Sequence, residues 1–118
     1  MLLRSLANQV TFQNAAAVTG NGQAVSCLGY KTLVIEIFGT SAPAGTVSFQ
    51  AAGPSGNFAP ITGTKLNGLT QATSTVNIPS GTPPQPEQWQ FDVSALDQFM
   101  CPLTWTAGQI TVQGRLMA

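Results

Sequence analysis

An all-β fold, an antiparallel two-sheet sandwich with a small barrel as second choice, is what this sequence predicts, and three observations predict it. The strand formers Thr, Val, Ile and Phe are plentiful, threonine alone occurring 14 times. The 12 glycines and 8 prolines fall between short apolar runs and not inside long ones. Alternation with a period of two recurs along the chain, while helical periodicity is confined to the first few residues and to Val93–Phe99. About eight short strands in 118 residues match the size of one sandwich domain.

Each element has its own signal. Residues 1–7 read as an N-terminal arm, with Leu2, Leu3 and Leu6 interrupted by Arg4 and Ser5, ahead of a single domain over 8–118. Asn8–Asn14 alternates Val10 and Phe12 with polar neighbours, and the turn Gly20–Gly22 leads to a second strand, Gln23–Leu28, with Val25 and Cys27 on one side. Lys31–Phe38 is the most apolar segment. Its Leu33, Ile35 and Ile37 point one way, Val34 and Phe38 the other, as in a central strand. Glu36, on the second face, either reaches water at a rim or pairs with a base. Gly39–Ala44 reads as the loop of a hairpin whose second strand, Gly45–Ala51, alternates Val47 and Phe49 with Ser48 and Gln50.

A turn at Gly53–Asn57 then leads to Phe58, Ile61 and a glycine-rich passage, Leu66–Thr70, with no assignable pairing. Gln71–Pro79 alternates around Val76 and Ile78. Ser80–Pro86 holds three prolines and reads as an extended linker, because proline cannot donate to a ladder. Glu87–Val93 sets Trp89, Phe91 and Val93 on one face. Phe99–Trp105 and Gln109–Met117 close the chain, joined by a tight turn at Thr106–Gly108, with Ile110, Val112, Gly114 and Leu116 inward.

Charge decides which functions to exclude. Four basic and four acidic residues make 7% of the chain, where soluble domains average about 25%. Solubility rests on 39 Ser, Thr, Asn and Gln residues instead. So few scattered cations cannot form the stripe that nucleic acid needs, and apolar runs of a few residues are too short for a membrane span. With no histidine, neither the common triad nor the commonest metal ligand is available, so no enzyme is expected. Ser94, close to Asp92 and Asp97, reads as a strand-end turn. Cys27 and Cys101 lack the spacing of a zinc site, and the glycine clusters do not run from a strand into a helix, so no metal or cofactor is expected. The N-terminus lacks the basic start and long apolar stretch of a secretory signal; synthesis in a cytoplasm and buried, reduced thiols are the expectation. Trp89 shares the core alternation of Phe91. Trp105, beside Leu103 and just before a turn, reads as core rim or subunit contact ahead of a sugar platform.

The run Gly29–Thr40, followed by Gly45–Gln50 and Phe58–Ile61, resembles structural β-sandwich proteins of tailed-bacteriophage virions. Phe91–Phe99 is similar to their "D-V-S-G-L" corner and Gly108–Arg115 to their closing strand. Their usual "S-x-D-G-x-x-W" turn is replaced here by Ala52–Phe58, without the aspartate and the tryptophan. The resemblance spans Gln23–Met117, carries no catalytic residue, and implies a virion component made in the host cytoplasm.

A sparsely charged surface has little to desolvate and suits burial against other subunits. The combined expectation is a capsid decoration or cement protein whose partners are the major capsid protein and further copies of itself, as a homotrimer. Leu2, Leu3, Leu6 and Trp105 are its candidate contacts, the arm being suited to adding a strand to a neighbour's open edge. A tail, baseplate or head–tail connection component and a carbohydrate-binding module are the alternatives.

Overall fold

In a computed structural model, described for residues 7–66, 72–79 and 85–118, the chain is all-β with two antiparallel sheets. Eleven strands are present among these residues: β1 (Ala7–Ala16), β2 (Val25–Ser26), β3 (Thr32–Ser48), β4 (Gln50–Ala52), β5 (Phe58–Pro60), β6 (Gly63–Lys65), β7 (Ala72–Thr73), β8 (Thr75–Asn77), β9 (Glu87–Asp92), β10 (Gln98–Met100) and β11 (Leu103–Met117). The larger sheet runs β1-β11-β3-β9-β6-β7, with β8 on the distal half of β3. The smaller runs β2-β10-β4-β5. The sandwich read from the strand spacing is therefore the fold, and the barrel alternative falls.

The frame is a single two-stranded ribbon that serves both sheets. Residues 32–52 run antiparallel to residues 98–117. Gln98↔Ala52 and Met100↔Gln50 lie in the smaller sheet, while Leu103↔Val47 and Met117↔Thr32 lie in the larger. Both chains cross between sheets at one level, at Phe49 on one and at Cys101–Pro102 on the other. Pro102 has no N–H to offer a ladder, but its carbonyl accepts from the Ser48 amide at 2.9 Å.

Two turns read from sequence are absent. Gly39–Ala44 does not reverse the chain, and Thr106–Gly108 does not separate two strands; β3 and β11 run straight through both. The segments lie opposite one another as register shifts around Ala44↔Ala107, so each irregularity is accommodated by the other. Glycine, proline and small residues mark a loop and a bulge alike, which is why local sequence misleads here. The strain is visible in the backbone: Ser41 and Ala42 lie at φ 59° and 54°.

Other boundaries shorten. The second strand keeps only Val25–Ser26, the segment after Gln71 divides around Ser74 into β7 and β8, and the strand read over Phe99–Trp105 breaks at Pro102. The arm's Leu2, Leu3 and Leu6, most of the Leu66–Thr70 passage and residues 80–84 of the proline linker lie outside the described residues.

The inward faces follow the alternation. Leu33, Ile35 and Ile37 of β3, Trp89 and Phe91 of β9, and Ile110, Val112 and Leu116 of β11 are all buried. Each such side chain contributes about 1.5–3 kcal/mol by leaving water. Five rings form a chain through this core: Phe12 to Phe99 (5.8 Å between centroids), Phe99 to Phe91 (4.9 Å), Phe91 to Phe49 (4.7 Å) and Phe49 to Trp89 (6.1 Å). They join the two sheets at edge-on and tilted angles that aromatic quadrupoles favour.

Candidate interaction surface

The outward residues of the large sheet line up in rows across its strands, because partners in register stand side by side about 4.8 Å apart. One row runs Thr11, Gln113, Glu36, Gln88 over β1, β11, β3 and β9. The next runs Gln9, Arg115, Val34, Gln90, Thr64 and extends to β6. Between them lies an open groove of about 450 Å³, bordered also by Met117. Glu36 has no basic partner among the described residues: half-buried on the central strand β3, it lines the open groove, and the Gln113 side-chain amide donates to its Oε1 at 3.0 Å. The partners across the row decide this, and they come from strands remote in sequence.

Few charges reach solvent. Among the described residues only Lys31, Asp92 and Arg115 are both charged and exposed. Lys65 and Glu87 form an ion pair at 2.7 Å, each side chain largely withdrawn from water. Asp92 accepts from the backbone N–H of Ser94 at 3.0 Å and from its hydroxyl at 2.7 Å, the strand-end turn expected. Those two donors hold its carboxyl below the ordinary aspartate range.

Trp105 is half-buried against the core, the rim position expected of it. Its indole N–H donates to the Gly108 carbonyl at 2.8 Å and its backbone N–H to Thr19 Oγ1 at 2.9 Å. The ring thus braces the bulge, and the backbone of the same residue ties it to the β1–β2 connection. Sequence reading misses Gln13, which a bulge in β1 turns inward beside Phe12. Its amide donates to the carbonyls of Gly20 (3.1 Å) and Cys101 (3.0 Å) at the level where the ribbon changes sheets. Alternation alone puts Gln13 outside, and no local signal marks the bulge.

Cys27 and Cys101 are buried free thiols. Burial, and for Cys27 also the nearby Asp97 carboxylate, pushes both up from the ordinary cysteine range. Among the described residues, no group of three His, Cys, Asp or Glu side chains could hold a metal ion, and no helix is long and apolar enough to cross a membrane.

The family model for XepA matches residues 7–116, which takes in the ribbon, both sheets and the outward rows. The chain belongs to the XepA family. Two solved structures share its fold. The SPBc2 prophage-derived protein YomS superposes with a TM-score of 0.81 at 23% identity, over 95% of this chain and 93% of that one. The PBSX exported protein XepA superposes with a TM-score of 0.83 at 22% identity, over 95% of this chain but 38% of that one, so this XepA-family chain spans well under half of XepA itself. No curated protein sequence matches the chain.

Proposed function

We propose that the chain is a non-enzymatic structural component of a bacteriophage particle, a decoration or cement protein bound as a homotrimer to the outer surface of the major capsid protein. The observation that carries this reading is the surface. With Lys31, Asp92 and Arg115 the only exposed charges among the described residues, the surface around the large-sheet groove can be covered by other subunits with little loss of ion hydration. Membership of the XepA family and the likeness to the prophage-derived YomS support the phage association. Trp105 contributes as a fastener of the bulge and, half-buried, retains some surface for a subunit contact.

Density-gradient purification of particles followed by quantitative mass spectrometry tests the proposal. A decoration protein bands with heads at a copy number tied to the capsid lattice, and the free protein runs as a trimer in light scattering. Confinement to tails overturns the capsid assignment and supports a tail or baseplate role. A second reading is favoured by the PBSX relative, which is an exported protein: a protein released free of particles. Recovery from the particle-free supernatant alone would support it.

A further inference from the structure

We propose that the groove on the outer face of the large sheet binds a neutral oligosaccharide, an activity that does not depend on where the protein sits in a particle. Its lining is chemically specific. Gln9, Gln88 and Gln113 each offer a planar amide with both donor and acceptor capacity, Glu36 and Arg115 contribute one charge of each sign, and Val34 gives a small apolar floor. These groups come from four adjacent strands, β1, β11, β3 and β9, held in register by continuous ladders. The Gln113 amide already fixes Glu36 through Oε1, which orients the carboxylate and leaves Oε2 to accept from a hydroxyl.

The chemistry of this lining selects the occupant. The two charges cancel, so neither a polyanion nor a polycation gains from entering. An extended peptide binds sheets by pairing its main chain with an open edge. Here the floor of the groove lies over β11 and β3, whose backbone groups are committed to ladders on both sides, β11 between β1 and β3 and β3 between β11 and β9; the free edge of β1 lies beyond the Gln9 border. Only side chains remain to be paired. A ligand dense in hydroxyls that act as both donors and acceptors matches rows of amides, and the C–H face of a sugar ring suits a floor such as Val34. A second copy of this chain would present the same hollow, and two hollows do not fill one another.

The test is side-chain amide NMR on the full chain, titrated separately with cellotetraose, maltotetraose and chitotetraose, with heparin and polylysine as charged controls. At least one of the three sugars is expected to shift the amide signals of Gln9, Gln88 and Gln113 together, with weak saturable binding. Gln88→Ala and Gln113→Ala should each weaken that binding by about fivefold to tenfold, as loss of one or two hydrogen bonds implies. Arg115→Ala, at an exposed position that leaves the core undisturbed, should weaken it in the same direction. Failure of all three sugars to move these signals overturns the proposal, as does a response to heparin or polylysine alone. Signals that move only when the protein itself is diluted would assign the face to self-association and equally overturn it.

Discussion

Gly108→Ala tests the paired bulges directly. Gly108 has φ +75°, and a Cβ placed there would stand 2.5 Å from the Thr40 carbonyl oxygen and 2.7 Å from the Pro43 Cα. A left-handed backbone costs a non-glycine residue about 1 kcal/mol. The contacts fall roughly 1 Å short of van der Waals distance and involve the backbone of β3, so relief requires moving that strand, an overpacking cost of about 1–3 kcal/mol. The total is about 2–4 kcal/mol. Gly56→Ala is the control, because Gly56 has φ +78° with nothing within 4 Å of the added carbon, and should lose only the backbone component of about 1 kcal/mol. Urea unfolding followed by tryptophan fluorescence should show Gly108→Ala shifted by about 1–2 M at an unchanged slope, and Gly56→Ala by about half a molar. Equal midpoints for the two variants would refute the opposed bulges and restore a solvent-exposed turn at 106–108.

Other outcomes rest on single contacts. The Asp92 carboxyl is held low by Ser94, so its contribution to stability is present above the unfolded-state value and is lost as pH falls through the folded one; Asp92→Asn should flatten the acid limb of a stability–pH curve, and carboxyl NMR should find Asp92 titrating below the ordinary aspartate range. Cys101, buried and raised well above its ordinary range, should resist an aromatic disulfide reagent until the protein unfolds, and fast labelling under native conditions would contradict its placement. Trp89 Nε1 is buried without a hydrogen-bond partner, so Trp89→Phe, which also removes that unpaired group, should cost under about 1.5 kcal/mol in urea unfolding, against about 3–5 kcal/mol for Phe91→Ala.

Strand identity is legible wherever burial on one face writes an alternation into the chain. Leu33, Ile35 and Ile37 and the set Ile110, Val112, Gly114 and Leu116 face inward as their spacing requires. Local sequence does not carry pairing. Gly39–Ala44 has the composition of a loop, and only its partner across the ladder, around Ala107, makes it a bulge. The same holds for the surface groove. Gln9, Glu36, Gln88 and Gln113 are ordinary outward residues one by one, and their rows exist only once four strands distant in sequence are set in register. Gln13 escapes sequence reading for a related reason, since a one-residue slip in β1 reverses the face of the residues beyond it. Trp105 is legible as a rim residue, because its neighbours Leu103 and Gly108 are themselves local.

The pairing of β1 with β11 has a consequence for how the domain can be strung into longer chains. Ala7 and Met117 are register partners, so any segment joined before the first strand or after the last leaves from the same corner. Such a domain hangs from a tether at one point and can swing about it with its far sheet faces unobstructed, and its two ends could be spliced by a short linker and reopened at the Gly53–Gly56 turn without rerouting a strand.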